Sequence, residues 1–241
     1  MIPREHTILL QDMMRAADRN DEATYVASTL KFIHESNLLP TTRPVTLWEP
    51  NKVRTVHTLV LGTEGIPGDI VELGVFCGGG TLLIAEMLRS LSSPRKIIGI
   101  DSFQGLPPES PQDAKDNGEV YYVEGKFKEE SNYARASFIM KFFGVKEYVK
   151  LIKGFFDDVL PDFVQPEDRY SLVIIDPDQY KGTMDALTAF YDHVSPGGVI
   201  LIDDYYSKAA VGVAKAVDEF LADKPETIAQ GGVTMAYFQK K

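Results

Sequence analysis

Apolar residues follow two different rhythms along this chain, and the change falls at Gly68. Before it the spacing is helical. Leu9, Leu10, Met13, Met14 and Ala17 line one face, and 25–33 repeats the pattern. The stretch 39–50 holds three prolines and reads as a loop, and 52–62 predicts another helix with Val53, Val56, Leu59 and Val60 on one side. After Gly68 short continuous apolar runs predict strands at 69–75, 96–101, 149–153, 171–176 and 199–203. Helical spacing fills 81–91, 184–194 and 209–221, the second of these stopped by Ser195-Pro196-Gly197-Gly198. Two short runs, 226–230 and 233–239, flank Gly231-Gly232 as a terminal hairpin.

Strands alternating with helices predict an α/β fold with a doubly wound, mostly parallel sheet. The five runs and the hairpin make seven strands, the hairpin forming an antiparallel edge. Two regions are expected: a helical N-terminal cap over 1–62 and a Rossmann-like domain over 63–241. Residues 102–148 interrupt the alternation. They begin rich in Pro, Asp, Glu, Asn and Gly and continue into a helix at 134–143. This predicts a lid or insertion at about 105–145.

The composition narrows the function classes. The chain has 241 residues, a formal net charge of −10, 44% hydrophobic and 25% charged residues, the profile of a globular protein. The acidic balance argues against general nucleic-acid or anionic-membrane binding, which need basic surface. One cysteine, Cys77, excludes an internal disulfide framework and a Cys-rich zinc site. With no long apolar span and no secretory-type leader in view, a soluble cytoplasmic protein is expected.

In open parallel sheets ligands bind beyond the C-terminal strand ends. There the first strand carries Glu72-Leu73-Gly74-Val75-Phe76-Cys77-Gly78-Gly79-Gly80, and the second ends in Asp101. Gly74 and Gly78 permit a tight strand-to-helix turn and close approach of backbone to a ligand. The spacing is not Gly-x-Gly-x-x-Gly, and Glu72 would repel a pyrophosphate. A ligand with a cationic group suits it better, such as S-adenosylmethionine, with Asp101 accepting ribose hydroxyls. Gly154-Phe155-Phe156-Asp157 follows the third strand; the aromatics could flank an adenine or simply belong to the core.

Asp176-Pro177-Asp178 ends the fourth strand and Asp203-Asp204 the fifth. Adjacent strands would bring these carboxylates together. Two like charges about 4 Å apart repel by about 4 kcal/mol at an effective dielectric near 20, so the cluster needs a cation or a proton. Oxygen-only ligands suit Mg²⁺. A metal held by Asp176, Asp203 and Asp204 would leave positions for two vicinal hydroxyls of a sugar or catechol, and Asp178 could act as general base. Asp178 or Asp204 alone could instead cap a helix.

These segments, from Gly68 to Tyr205, resemble in order the motifs of the macrocin O-methyltransferase family. Asp101-Ser102-Phe103-Gln104-Gly105-Leu106-Pro107 is the most diagnostic. The resemblance implies a class I methyltransferase fold and a small-molecule acceptor, a sugar hydroxyl of a natural product. It implies S-adenosylmethionine contacts at Glu72, Asp101, Ser102, Phe155 and Phe156, with Gly154 and Asp176 beside them. Mg²⁺ on Asp176, Asp203 and Asp204, Asp178 as base, and a homodimer or higher homo-oligomer follow from it too. The chain departs from the pattern at Cys77, at Pro177 in place of a usual glycine, and between Pro107 and Val149. A phenol or catechol methyltransferase and a nicotinamide-dependent oxidoreductase are the alternatives.

Overall fold

The computed structural model describes residues 46–241, so the helices expected within 7–33 and most of the 39–50 loop lie outside the described residues. The described chain opens with α1 (Pro50–Gly62), whose first residue is a proline, a position where its missing N–H is no loss. The Rossmann-like core follows as β1 (Asp69–Leu73), α2 (Gly79–Ser90), β2 (Ile97–Asp101), α3 (Tyr133–Phe142), β3 (Val149–Lys153), α4 (Phe156–Phe163), β4 (Tyr170–Ile175), α5 (Tyr180–Phe190), β5 (Val194–Ile202), α6 (Val211–Leu221), β6 (Ala229–Gln230) and β7 (Ala236–Gln239). The seven strands pair in the order β3-β2-β1-β4-β5-β7-β6, with β7 antiparallel to both its neighbours and the rest parallel.

Each central strand is buried on both faces, which is why its sequence lacks polar alternation. Ile70, Ile97, Leu172, Ile174 and Leu201 join α1, α2 and α3 in one apolar layer. Val71, Leu73, Ile100, Val173, Ile175 and Ile202 join α5 and α6 in the other. Arg95, 5% exposed, ties the sheet to the end of α1: its guanidinium donates to the carbonyls of Val60 and Thr63 and to the hydroxyl of Ser171.

The strand order reverses between β1 and β4. There the register pairs Leu73 with Ile100 and Ile175, and Ile175 with Ile202. The residues that leave these strands therefore emerge side by side: Gly74, Asp101, Asp176 and Asp203.

Two of the boundaries that differ from the sequence expectations have a visible cause. The helix expected at 184–194 begins at Tyr180, because the buried Asp113 accepts the Tyr180 N–H and Gln179 ties that turn to the insertion. The Ser-Pro-Gly-Gly stop belongs to β5. The Gly197 N–H donates to the Lys240 carbonyl, the Lys240 N–H to the Gly198 carbonyl, and Gly197 takes φ +83°, so the C-terminal chain draws a turn-forming sequence into the sheet.

Candidate active site

β1 stops at Leu73 because Gly74 turns the chain at φ +98°. A Cβ at Gly74 would lie 2.0 Å from the Asp176 carbonyl oxygen, so only glycine lets the β1 and β4 ends approach. The loop then runs into α2. The Asp101 carboxylate holds it from the next strand: Oδ2 accepts the N–H of Val75 at 2.8 Å and of Phe76 at 2.9 Å, and Oδ1 that of Phe103 at 2.5 Å. Asp101 shapes the loop before any ligand arrives. Burial pushes its pKa up, and these amides hold it back.

A cleft of about 460 Å³ opens over these strand ends. Among the expected residues, Gly74, Asp101, Ser102, Phe155, Phe156, Asp176, Asp178, Asp203 and Asp204 line it. Glu72, Gly78 and Gly154 do not. Gly78 faces Ala136, Ile139 and Met140 of α3, and Gly154 faces Val159. Glu72 is 1% exposed and lies beneath the loop, where it accepts the Thr81 hydroxyl. Burial pushes its carboxyl up to about 8, with the Thr81 hydrogen bond and the Lys52 charge opposing.

The four aspartates meet as their strands predict, and a residue that the sequence reading took only as the start of a helix stands among them. Lys52, in the first turn of α1, extends its ammonium to Asp176 Oδ2 at 2.6 Å and Asp203 Oδ2 at 2.5 Å. Burial alone would lower its pKa; the two carboxylates outweigh that and raise it, so the ammonium stays charged. Asp203 answers in the opposite sense. Burial works against ionisation, but Lys52, the Asp204 N–H and the Thr234 hydroxyl hold its carboxyl below the ordinary range.

The others have less support. Burial raises Asp176 to about 7, Lys52 lowering and Asp203 raising it in turn. Asp178 is raised well above the usual carboxylate range, first by burial and then by Asp176, Asp204 and Asp203, and its carboxyl hydrogen-bonds that of Asp204. Asp178 and Asp204 also adopt left-handed backbone, φ +62° and +58°, a conformation that disfavours side chains by about 1–2 kcal/mol. Strain of this kind collects where surrounding structure imposes a position on a side chain.

The insertion supplies a further residue that sequence reasoning missed. Tyr122 donates its hydroxyl to Asp204 Oδ2 at 3.3 Å, and Gln179 Nε2 donates to the carbonyls of Tyr122 and Pro107 at 2.9 and 3.1 Å. The insertion is thus fastened to the turn that carries Asp178. Burial first, then the charges of Asp178 and Asp204, raises the Tyr122 phenol, which remains a donor. No spacing rule links Lys52 or Tyr122 to the cluster; a buried-capable Lys on an apolar helix face was the only signal.

Other candidates fall away from the chemistry. Cys77 is buried, donates to the Glu130 carbonyl and receives Arg135; burial pushes its thiol up to about 11, which makes it a poor nucleophile. His57 is buried in α1, and neither it nor Tyr205 or Tyr206 lines the cleft. Trp48 is both an anchor and a wall: 8% exposed, packed near Gly80, and in the cleft lining.

Hard, all-oxygen donors facing one ammonium suit a divalent cation such as Mg²⁺. Among the described residues, however, no three such side chains are grouped around one metal position, and the Lys52 ammonium lies against both Asp176 and Asp203.

Comparison with known proteins identifies the family. The sequence model of the family described as macrocin-O-methyltransferase matches residues 51–240. The chain is 32% identical over 145 residues to the 8-demethyl-8-(2,3-dimethoxy-alpha-L-rhamnosyl)-tetracenomycin-C 4'-O-methyltransferase of Streptomyces olivaceus, covering 59% of this chain and 54% of that protein. It is 31% identical over 188 residues to the demethyldecarbamoylnovobiocin O-methyltransferase of Streptomyces niveus, covering 75% and 69%. The chain thus spans about half the length of the first of these relatives. The solved structure of the O-methyltransferase NovP superposes with a TM-score of 0.75 at 24% identity, over 98% of this chain and 99% of that one, a likeness of fold. No helix among the described residues is long and apolar enough to cross a membrane.

Proposed function

The chain belongs to the macrocin-O-methyltransferase family, and from that premise we propose that it methylates a hydroxyl of a sugar or glycosylated natural product, using S-adenosylmethionine and Mg²⁺. The observation that carries the reading is the meeting of Asp176, Asp178, Asp203 and Asp204 at neighbouring strand ends, in one cleft with the glycine loop and Asp101. S-adenosylmethionine would occupy the part of the cleft bounded by Gly74, Asp101, Ser102, Phe155 and Phe156. Asp176, Asp203 and Asp204 would hold the metal, which when bound supplies Lewis acidity toward the acceptor hydroxyl.

The chain's own residues do the rest. Asp178 binds a proton more tightly than an ordinary carboxylate, as a base working near neutral pH must. Its left-handed backbone aims the carboxyl into the cluster, and Gln179, the next residue, is locked to the insertion. Tyr122 holds Asp204 and closes one side, while Trp48, Leu47 and Phe127 form apolar walls that exclude water from the acceptor. Both lysines of the cleft are engaged, Lys52 with Asp176 and Asp203 and Lys181 with Asp185 and Asp157.

The name of one relative describes methylation of a rhamnosyl-bearing compound, which supports this acceptor class. The test is incubation with methyl-labelled S-adenosylmethionine, Mg²⁺ and a panel of neutral glycosides, nucleotide sugars and catechols. Label should appear on glycoside hydroxyls, disappear with EDTA and return with Mg²⁺. Transfer to catechols alone would replace the acceptor class, and full transfer in EDTA would reject the metal. A homodimer is part of the same reading, and a monomer in light scattering would count against it.

A further inference from the structure

Lys52 does not belong to any part of the reaction described above, yet it occupies the centre of the cluster. Its residue is 8% exposed, and its Nζ contacts carboxylates from two adjacent strands at 2.6 and 2.5 Å. It reaches them from α1, across the cleft from the sheet. Trp48 also lies beside it, its ring centroid 4.7 Å from Nζ.

An ammonium and a magnesium ion cannot share that point. Mg²⁺ requires oxygens at about 2.0–2.1 Å in octahedral array. An ion bridging Asp176 and Asp203 would take the place of Nζ, which already lies at hydrogen-bond distance from both oxygens. In the absence of metal the same ammonium offsets repulsion among the carboxylates. The lysine stem has four rotatable carbons and the cleft is open beside it, so Nζ has a path out.

We propose that Lys52 is the resident counter-cation of the carboxylate cluster, and that a divalent metal enters by displacing its ammonium. Withdrawal of Nζ changes the contact with Trp48, so metal occupancy is transmitted to the N-terminal wall of the cleft. This inference rests on the magnesium part of the function proposed above. It makes Lys52 a residue that sets metal affinity.

The chain has one tryptophan, Trp48, which gives a direct readout. Free Mn²⁺ would be counted by electron paramagnetic resonance during titration of wild-type, Lys52→Met and Lys52→Gln proteins. Trp48 emission would be followed during Mg²⁺ titration. Removing the competitor should tighten Mn²⁺ binding by about tenfold or more, the factor recovered when a competent state populated at a tenth becomes the only state. Wild-type emission should shift on Mg²⁺ saturation, and the shift should be absent from both variants. The variants should also melt lower than wild type in EDTA, with a larger gain from Mn²⁺.

Equal or weaker Mn²⁺ binding by a folded variant overturns displacement and leaves the magnesium reading intact. Mg²⁺ saturation of the wild type without any change at Trp48 also overturns displacement, and needs no variant to fold. Absence of Mn²⁺ binding to all three proteins rejects the magnesium reading and this inference together. Binding to the variants alone overturns displacement as well, because metal then fails to remove the Lys52 ammonium in the natural protein.

Discussion

Glu72 gives a prediction whose sign and size follow from its surroundings. Its carboxyl, 1% exposed, is pushed from an ordinary value of 4.5 to about 8, chiefly by burial. The folded protein therefore binds a proton there more tightly than the unfolded chain. The stabilisation is complete below pH 4.5 and is lost as pH rises through 8. Glu72→Gln keeps the shape and can still accept the Thr81 hydroxyl, but it does not titrate. At pH 4.5 the two proteins should be about equally stable. Above that the variant should gain by about 1.4 kcal/mol per pH unit, levelling off near pH 8 at roughly 4–5 kcal/mol as an upper bound. Urea denaturation in EDTA at pH 5, 7 and 9 measures this difference directly. Parallel curves, with the gap unchanged from pH 5 to pH 9, would refute the assignment of a buried, proton-binding Glu72. A variant that became less stable with rising pH would show that the ionised carboxylate is the form the fold prefers, satisfied by a neighbouring cation.

Other expectations test the site. Asp178→Asn should abolish turnover while S-adenosylmethionine binding by calorimetry stays within about twofold, an effect confined to the chemical step; normal turnover would remove Asp178 from the base role. Gly74→Ala should lower stability by roughly 2–4 kcal/mol in thermal or urea melts, since its Cβ would press on the Asp176 carbonyl at 2.0 Å and its φ is +98°. A melt equal to wild type would mean that the β1 and β4 ends separate easily. Tyr122→Phe removes the hydrogen bond to Asp204 and should raise KM for the acceptor while leaving that for S-adenosylmethionine unchanged. Equal effects on both would place Tyr122 outside the acceptor side.

Much of the architecture was legible because it depends on local chemistry. The runs at 69–75, 171–176 and 199–203 are apolar enough to predict strands covered on both faces. Prolines and glycines mark where they stop. The terminal hairpin follows from Gly231-Gly232 in the same way. The exception is Ser195-Pro196-Gly197-Gly198, a turn sequence by every local rule. Pairing of Gly197 and Gly198 with Lys240, which lies 42 residues or more further on, decides its place in β5. No window along the chain contains that information.

The functional site divides along the same line. Sequence alone determined that four aspartates end two strands joined by one helix, and the structure pairs those strands. The period of a parallel sheet carries side chains at consecutive strand ends to one edge, and the connecting helix is of the length such a crossover needs. It also determined the family, through motifs spread from Gly68 to Tyr205. The tertiary structure alone decided what neutralises those aspartates. Lys52 lies more than a hundred residues before Asp176 on a helix outside the sheet, and only packing of α1 against α2 brings its ammonium between two carboxylates. Packing likewise withdrew Glu72 from the cleft and brought Tyr122 of the insertion onto Asp204. Periodicity and strand ends are properties of neighbouring residues. Charge compensation in a buried cluster depends on which distant side chain fills the space, and that is settled when the layers close.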